Sequence, residues 1–351
     1  MLDNPLSSAY SVNREGTIIA GITGESYPGS IYRVDGPPTT THNIGYLRDG
    51  TYSIAEAVSG LSNNLIIAGW GTTTGGVKHA FRWKYAEGML DLGVLDNDTE
   101  SLALDIARSG IIVVGCSRRP AEGGSRATRW NLSGQHVTIH VLNAPEEAPD
   151  CVAHCVDDSG NVIAGTCKLS DSSYTHAVCW LGGTTEAASS LNCLGDHSNA
   201  MAYAVSGDGN VIVGSSTEPG NPDIEHAVYW RRRAGSGIFD ISNLGVRPDP
   251  FQNHWKAKAY GVSHDGGIIV GTCQSASGSE AFIWRDNTSP KVQKLANAAT
   301  YKRSNAWDVT TTTDGTIIVV GDSSFCETNP NGGRIAVCWE NLSIKDLHFP
   351  S

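Results

Sequence analysis

The chain has 351 residues with 25 Lys plus Arg against 36 Asp plus Glu, a formal charge of −11. That balance argues against a nucleic-acid partner spread over the whole surface, because such binding neutralises phosphates with cations. With 40 Gly, 3 Met and 17% charged residues, the composition suits short strands and tight turns rather than long amphipathic helices. No run approaches the 18 or more apolar residues of a membrane span, and the first residues, MLDNPLSSAYSV, lack both a basic and an apolar leader region.

In chain order, four marks recur with a period of roughly 50 residues. The first is Ala-x-x-Val/Ile, with its Ala at Ala9, Ala55, Ala103, Ala153, Ala202, Ala259 and Ala306. A turn follows, clearest as Asp208-Gly209, Asp265-Gly266 and Asp314-Gly315, with Gly16, Gly110 and Gly160 in the same place. These residues tolerate the left-handed backbone of a tight hairpin. The second mark is an aliphatic run closing on Gly21, Gly69, Gly115, Gly165, Gly214, Gly271 and Gly321. It reads as a buried strand whose Gly marks close backbone approach or a bulge. A variable loop leads to the third mark, Ala-x-x-Trp, ending at Trp83, Trp130, Trp180, Trp230, Trp284 and Trp339. The first repeat, Ile31-Tyr32-Arg33-Val34, has lost both of its residues. A weaker fourth segment follows, as DLGVL around Gly93 and SNLGV around Gly245.

Four short strands per repeat, named A to D here, predict an all-β fold. It is a seven-bladed β-propeller with four antiparallel strands per blade. Residues 1–351 are expected to form one such domain, with blades starting near residues 9, 55, 103, 153, 202, 259 and 306. The recurrent Trp is expected to fill the space between blades. All repeats are in phase, so ring closure is expected through side-chain packing without a shared blade. The nine Cys occupy positions held by small or aliphatic residues in other copies, as in AVCW at Cys179 and Cys338, and read as apolar filler rather than a disulfide framework. Unpaired thiols imply a reducing compartment, the bacterial cytoplasm or a host cytosol.

These marks resemble those of the bacterial HAF-repeat proteins, described as probable extracellular repeat proteins. The segment that gives them their name is intact at His79-Ala80-Phe81 and partial at His176-Ala177-Val178 and His226-Ala227-Val228. The resemblance implies a bacterial source and export; the missing leader and the free thiols point instead to delivery into a host cell by a specialised system. It brings no catalytic residues with it.

The A–B turns are short and uniform, while the B–C and D–A loops differ in every copy. Variable loops on a rigid scaffold carry function, so the B–C/D–A face is the expected binding face. One strand position varies too. The residue after the strand-A Ala is Tyr10, Glu56, Leu104, His154, Tyr203, Tyr260 or Trp307. It either packs between blades or rings the mouth of the central channel. An aromatic rim there would hold a ligand, with Tyr10, Tyr203, Tyr260 and Trp307 as binding residues. Trp255 and Lys256, with His254 and Lys258 beside them and Lys302 and Arg303 in the next loop, form an expected basic, aromatic patch for an acidic partner segment.

The sequence carries no nucleophile elbow, P-loop or His-Glu-x-x-His signature. A metal set of Cys151, His154 and Cys155 fails on spacing, since residues four apart on a strand lie roughly 13 Å apart. The repeated His79, His176 and His226 read as inherited structure. The expected function is therefore non-enzymatic: a monomeric platform for a protein partner, with no cofactor, metal, nucleic acid or membrane. The alternative is a hydrolase or lyase at the channel mouth with Glu56 and His154 as acid and base.

Overall fold

The computed structural model describes residues 7–23, 29–33, 41–60, 64–120, 123–145, 148, 150–169, 174–183, 188–196, 198–247, 255–275, 278–297, 303–324 and 334–346, with side chains described for all of these except 29–33, 41, 275 and 344–346. They form an all-β propeller. Five sheets are four-stranded and one is eight-stranded. Within each four-stranded sheet the strands follow chain order and pair antiparallel, as in Ser53–Ser59, Ile66–Thr72, Lys78–Lys84 and Gly88–Asp91. The eight-stranded sheet is two such units bridged by a short parallel pairing, Ile224 with Trp255 and Glu225 with Lys256. No helix among the described residues is long and apolar enough to cross a membrane.

The Ala of strand A and the Gly of strand B are one device. Ala55 pairs with Gly69 and Ala57 with Ala68, so Glu56 is an extra residue without a partner. The same skip falls at Tyr10, Leu104, His154, Tyr203, Tyr260 and Trp307. Each is a β-bulge, which bends the strand and re-aims one side chain. The paired Gly makes the approach possible. A Cβ on Gly214 would collide with the carbonyl oxygen of Met201, and one on Gly165 with that of Val152.

Between repeats the recurrent Trp fills the gap. Trp130, Trp180, Trp230 and Trp339 are fully buried. Trp180 packs with Ala127 and Leu142 of the preceding repeat, and Trp230 with Ala177 and Leu191. Three of these indole N–H groups donate to backbone carbonyls of the preceding repeat, Trp180 to Asn143 at 2.8 Å, Trp230 to Asn192 at 2.6 Å and Trp339 to Ala296 at 2.8 Å. A second link comes from the Ser two residues before the strand-A Ala. The Ser101 hydroxyl accepts from the Ala80 amide at 2.9 Å, and Ser304 from Ala281 at 3.0 Å. Ser7 accepts from Ala336 at 2.9 Å, so the first strand A meets the last strand C through the same bond. Ala9, Val12 and Ile19 pack there on Ile318, Val320 and Ala336, and the last sheet takes its four strands from Arg303–Asp346 alone.

Two sequence features acquire causes. His79 Nδ1 lies 3.0 Å from the Asp91 carboxylate, which also accepts from the Gly93 amide at 2.8 Å. The His of strand C and the Asp-Leu-Gly of strand D therefore tie the outer strands together. His226 and Asn243, 3.0 Å apart, repeat the link. The cysteine reading needs correction. Cys151 and Cys167 form a disulfide between strands A and B. Cys151 stands where Ser101 stands one repeat earlier, directly opposite Cys167 in register, a proximity that only strand pairing creates. The bond also removes Cys151 from any metal set. Cys116, Cys155, Cys179 and Cys273 are buried free thiols, Cys193 is a half-buried one, Cys338 is buried, and Cys326 lies outside the described residues.

Gly214→Ala places a methyl group against backbone that cannot move without breaking the bulge. Its expected cost is at least the roughly 1–3 kcal/mol of core overpacking, read as a lowered urea midpoint.

Candidate functional site in the central channel

The bulged residues face the channel. Tyr10, Glu56, Leu104, His154, Tyr203, Tyr260 and Trp307 all line a single cavity of about 240 Å³, together with the residues that follow them toward the A–B turns. The bulge explains this. On a regular strand, alternation would turn this residue toward one face of the sheet; the extra residue lets the side chain leave along the inner edge instead.

On one side of the wall the aromatic members touch in sequence. Ring centroids are 6.1 Å apart for His154 and Tyr203, 5.1 Å for Tyr203 and Tyr260, and 4.7 Å for Tyr260 and Trp307. The arc is held from outside. Trp307 Nε1 donates to Asp322 at 2.6 Å, and Asn305 donates to the other Asp322 oxygen at 2.8 Å. Lys258 Nζ donates to the Tyr203 hydroxyl at 3.3 Å and pairs with Glu225 at 3.4 Å. On the opposite side Glu56 accepts from the Trp70 indole at 2.9 Å, and Lys78 Nζ sits 4.7 Å from the Trp70 ring centroid.

Burial sets the protonation states. It pushes the Glu56 carboxyl up to about 7 against the opposing Trp70 bond, and lowers His154 to about 4, so His154 is neutral at pH 7. Burial, helped by the Glu56 charge, lifts the Tyr10 phenol to about 12. Glu56 and His154 share the cavity, but no contact joins them: Glu56 is engaged by Trp70, and the described partner of His154 is the Tyr203 ring.

Two functional positions escaped the sequence reading. Asp105 and Asp308 stand two residues after the strand-A Ala, where other repeats carry Ser11, Ala57, Cys155, Ala204 and Gly261. Asp105 accepts from the Ile106 amide and, across the repeat boundary, from Val156 at 2.8 Å. Asp308 accepts from Val309, from Val12 at 3.0 Å and from the Ser11 hydroxyl at 3.1 Å. Ser11 in turn accepts from the Val58 amide at 3.3 Å. These bonds stitch inner strands to their neighbours at the level of the cavity. Burial raises Asp105 to about 7 and Asp308 to about 6, the amide donors opposing it. The legible signal was an Asp at a position otherwise held by small residues.

At the A–B turn end, charges reach across the mouth. Asp158 meets Arg14 at 3.4 Å, Arg108 at 3.8 Å and His264 at 3.2 Å, from three different repeats, and Arg108 also meets Glu15 at 4.0 Å.

The aromatic member of the expected basic surface patch is not at the surface. Trp255 is 4% exposed and packs with Leu244, Val246 and Ala257, its ring edge-on to His226 at 5.1 Å. The parallel pairing at Ile224 draws it between two units, which sequence spacing does not reveal. Lys256 is exposed beside it, Lys258 turns onto Tyr203, and His254 and Lys302 lie outside the described residues. So do parts of the variable loops, among them 24–28, 170–173, 248–254, 276–277 and 325–333.

No protein-family model and no curated protein matches the chain. Solved structures do, at low identity. The β-propeller domain of Swd1 from Myceliophteria thermophila is 11% identical with a TM-score of 0.59, over 95% of this chain and 96% of that one. The β-propeller domain of the trilobed protease from Pyrococcus furiosus is 12% identical with a TM-score of 0.58, over 99% and 98%. A puromycin-hydrolyzing peptidase from Mycobacterium tuberculosis is 12% identical with a TM-score of 0.64; this chain is covered over 98% but spans only 52% of that protein. At such identities the likeness establishes the propeller fold and carries no activity to this chain.

Trp255→Ala is expected to cost about 3–5 kcal/mol, while Lys256→Ala stays within about 0.5 kcal/mol; denaturant titration distinguishes them. The raised Glu56 carboxyl makes a second prediction. The folded state holds this proton up to about 7, whereas an unfolded Glu releases it near 4.5, so Glu56 weakens the fold as pH rises through that window. His154 acts oppositely between about 4 and 6.5, while the raised Asp105 and Asp308 act in the same direction as Glu56, so the wild-type profile alone mixes these groups. The stability of Glu56→Gln minus that of wild type isolates Glu56, and it should grow from pH 4.5 to 7.

Proposed function

We propose that the chain is a propeller of seven blades acting as a non-enzymatic binding platform, with a protein partner seated over the B–C/D–A end of the channel. The eight-stranded sheet supports that blade count, because each of its halves repeats the A-to-D order of the four-stranded sheets. The observation that carries the functional reading is the continuous arc of Tyr203, Tyr260 and Trp307 on the channel wall. Rigid aromatic side chains give large contact area at low entropic cost and anchor inserted groups. The ionic cluster around Asp158 spans the A–B end and favours entry from the other side. Acid–base catalysis has less support. His154 is held neutral without a hydrogen-bonding orienter among the described residues, and Glu56 is committed to Trp70.

The test is affinity capture with wild type and Trp307→Ala, the variant first shown to be folded by its near-ultraviolet dichroism. A channel-dependent partner should be retained by wild type and reduced at least tenfold by the variant. Identical partner sets at identical yield would refute the assignment.

A further inference from the structure

The cavity carries a charge imbalance that its own side chains leave uncorrected. Arg14 and Arg108 lie at the A–B end, engaged by Asp158 and Glu15. Deeper in, Glu56, Asp105 and Asp308 carry the acidic groups. Their partners among the described residues are neutral donors: the Trp70 indole for Glu56, the Ile106 and Val156 amides for Asp105, and the Val12 and Val309 amides with the Ser11 hydroxyl for Asp308. No described cation pairs with any of the three. Asp308 and Asp158 lie near enough to Asp105 for their charges to raise its proton affinity.

The same space is walled by aromatic rings. An aromatic face carries negative electrostatic potential and attracts cations, more strongly where water is excluded. Rings and carboxyls together therefore favour the same kind of guest. The protein already uses this chemistry beside the cavity, where Lys258 Nζ lies 5.7 Å from the Tyr203 centroid and Lys78 Nζ lies 4.7 Å from that of Trp70. Those two ammonium groups do not line the cavity.

We propose that the channel cavity binds an organic cation, an ammonium or guanidinium head group, between the Tyr203–Tyr260–Trp307 arc and the carboxyls of Glu56, Asp105 and Asp308. This rests on the platform reading and deepens it: the head group is that of a Lys or Arg side chain inserted by the partner. An aromatic wall alone would accept a neutral guest of the same shape equally well. The carboxyls are what make the site choose charge.

The experiment is calorimetric titration of the intact chain with two isosteric pairs, choline against 3,3-dimethyl-1-butanol and butylguanidinium against butylurea. At least one cation should bind at one site, about tenfold or more tightly than its neutral partner. Glu56→Gln keeps the side-chain volume and an acceptor for Trp70, and should abolish that preference. Tyr260→Leu should weaken the cation at least tenfold. Equal binding of charged and neutral partners, no binding of either cation, or unchanged selectivity in both folded variants overturns the proposal. If capture of the partner still depends on Trp307 while no cation is preferred, the platform reading stands and the cation site falls. If capture ignores Trp307 while cations bind selectively, the reverse holds.

Discussion

In every inner strand one residue more is present than the neighbouring strand can pair, and the glycine beside it leaves room for that excess. The carbonyl one residue before each strand-A Ala presses against the strand-B Gly so closely that no side chain fits between. This contact fixes the bulge, and the bulge decides which residue faces the channel. The consequences run outward. The Ala is fully buried in the interblade core, while the residue after it faces the channel, followed along the wall by most of the residues two and three places on. That position varies from Tyr to Glu to Leu because the interblade core makes no demand on it.

A ring with a polar inner wall must satisfy backbone groups where its strands diverge, and the bulge makes this harder by removing pairing. Asp105, Asp308 and Ser11 meet the need by accepting amides of their own and the following inner strand. Carboxylates placed for that purpose end up buried at the cavity wall, where desolvation raises their proton affinity. The structural role and the electrostatic character of the channel thus have one origin. The aromatic arc adds the second ingredient, since Trp307 is held by Asp322 and Tyr203 by Lys258, neither of which lines the cavity. Glu56 is likewise held by Trp70, which does not line the cavity.

The scaffold was legible because it repeats. Ala9 to Ala306, the strand-B glycines and the strand-C tryptophans each answer a packing demand that recurs in every repeat, and recurrence separates signal from noise in a single chain. The candidate site was half legible. The variable position after the Ala stood out, yet whether it faced the channel or the blade interface turned on the bulge, and a one-residue slip in pairing is invisible in composition or periodicity. Trp255 shows the opposite failure. Beside Lys256 it reads as a surface anchor, but the parallel pairing with Ile224 buries it. Cys151 and Cys167 are 16 residues apart and meet only because strands A and B align them.

The sequence by itself determined the all-β repeat, the identity of each strand and the positions where backbone must approach backbone. These are local properties, written in residue type and spacing. Tertiary structure alone decided which side chains share the channel, how Asp105 and Asp308 reach their neighbours, and which charges span the A–B mouth. Those relations join residues far apart in the chain, by 51 positions for Asp105 with Val156, 144 for Arg14 with Asp158 and 296 for Asp308 with Val12. Only closing the ring brings them together.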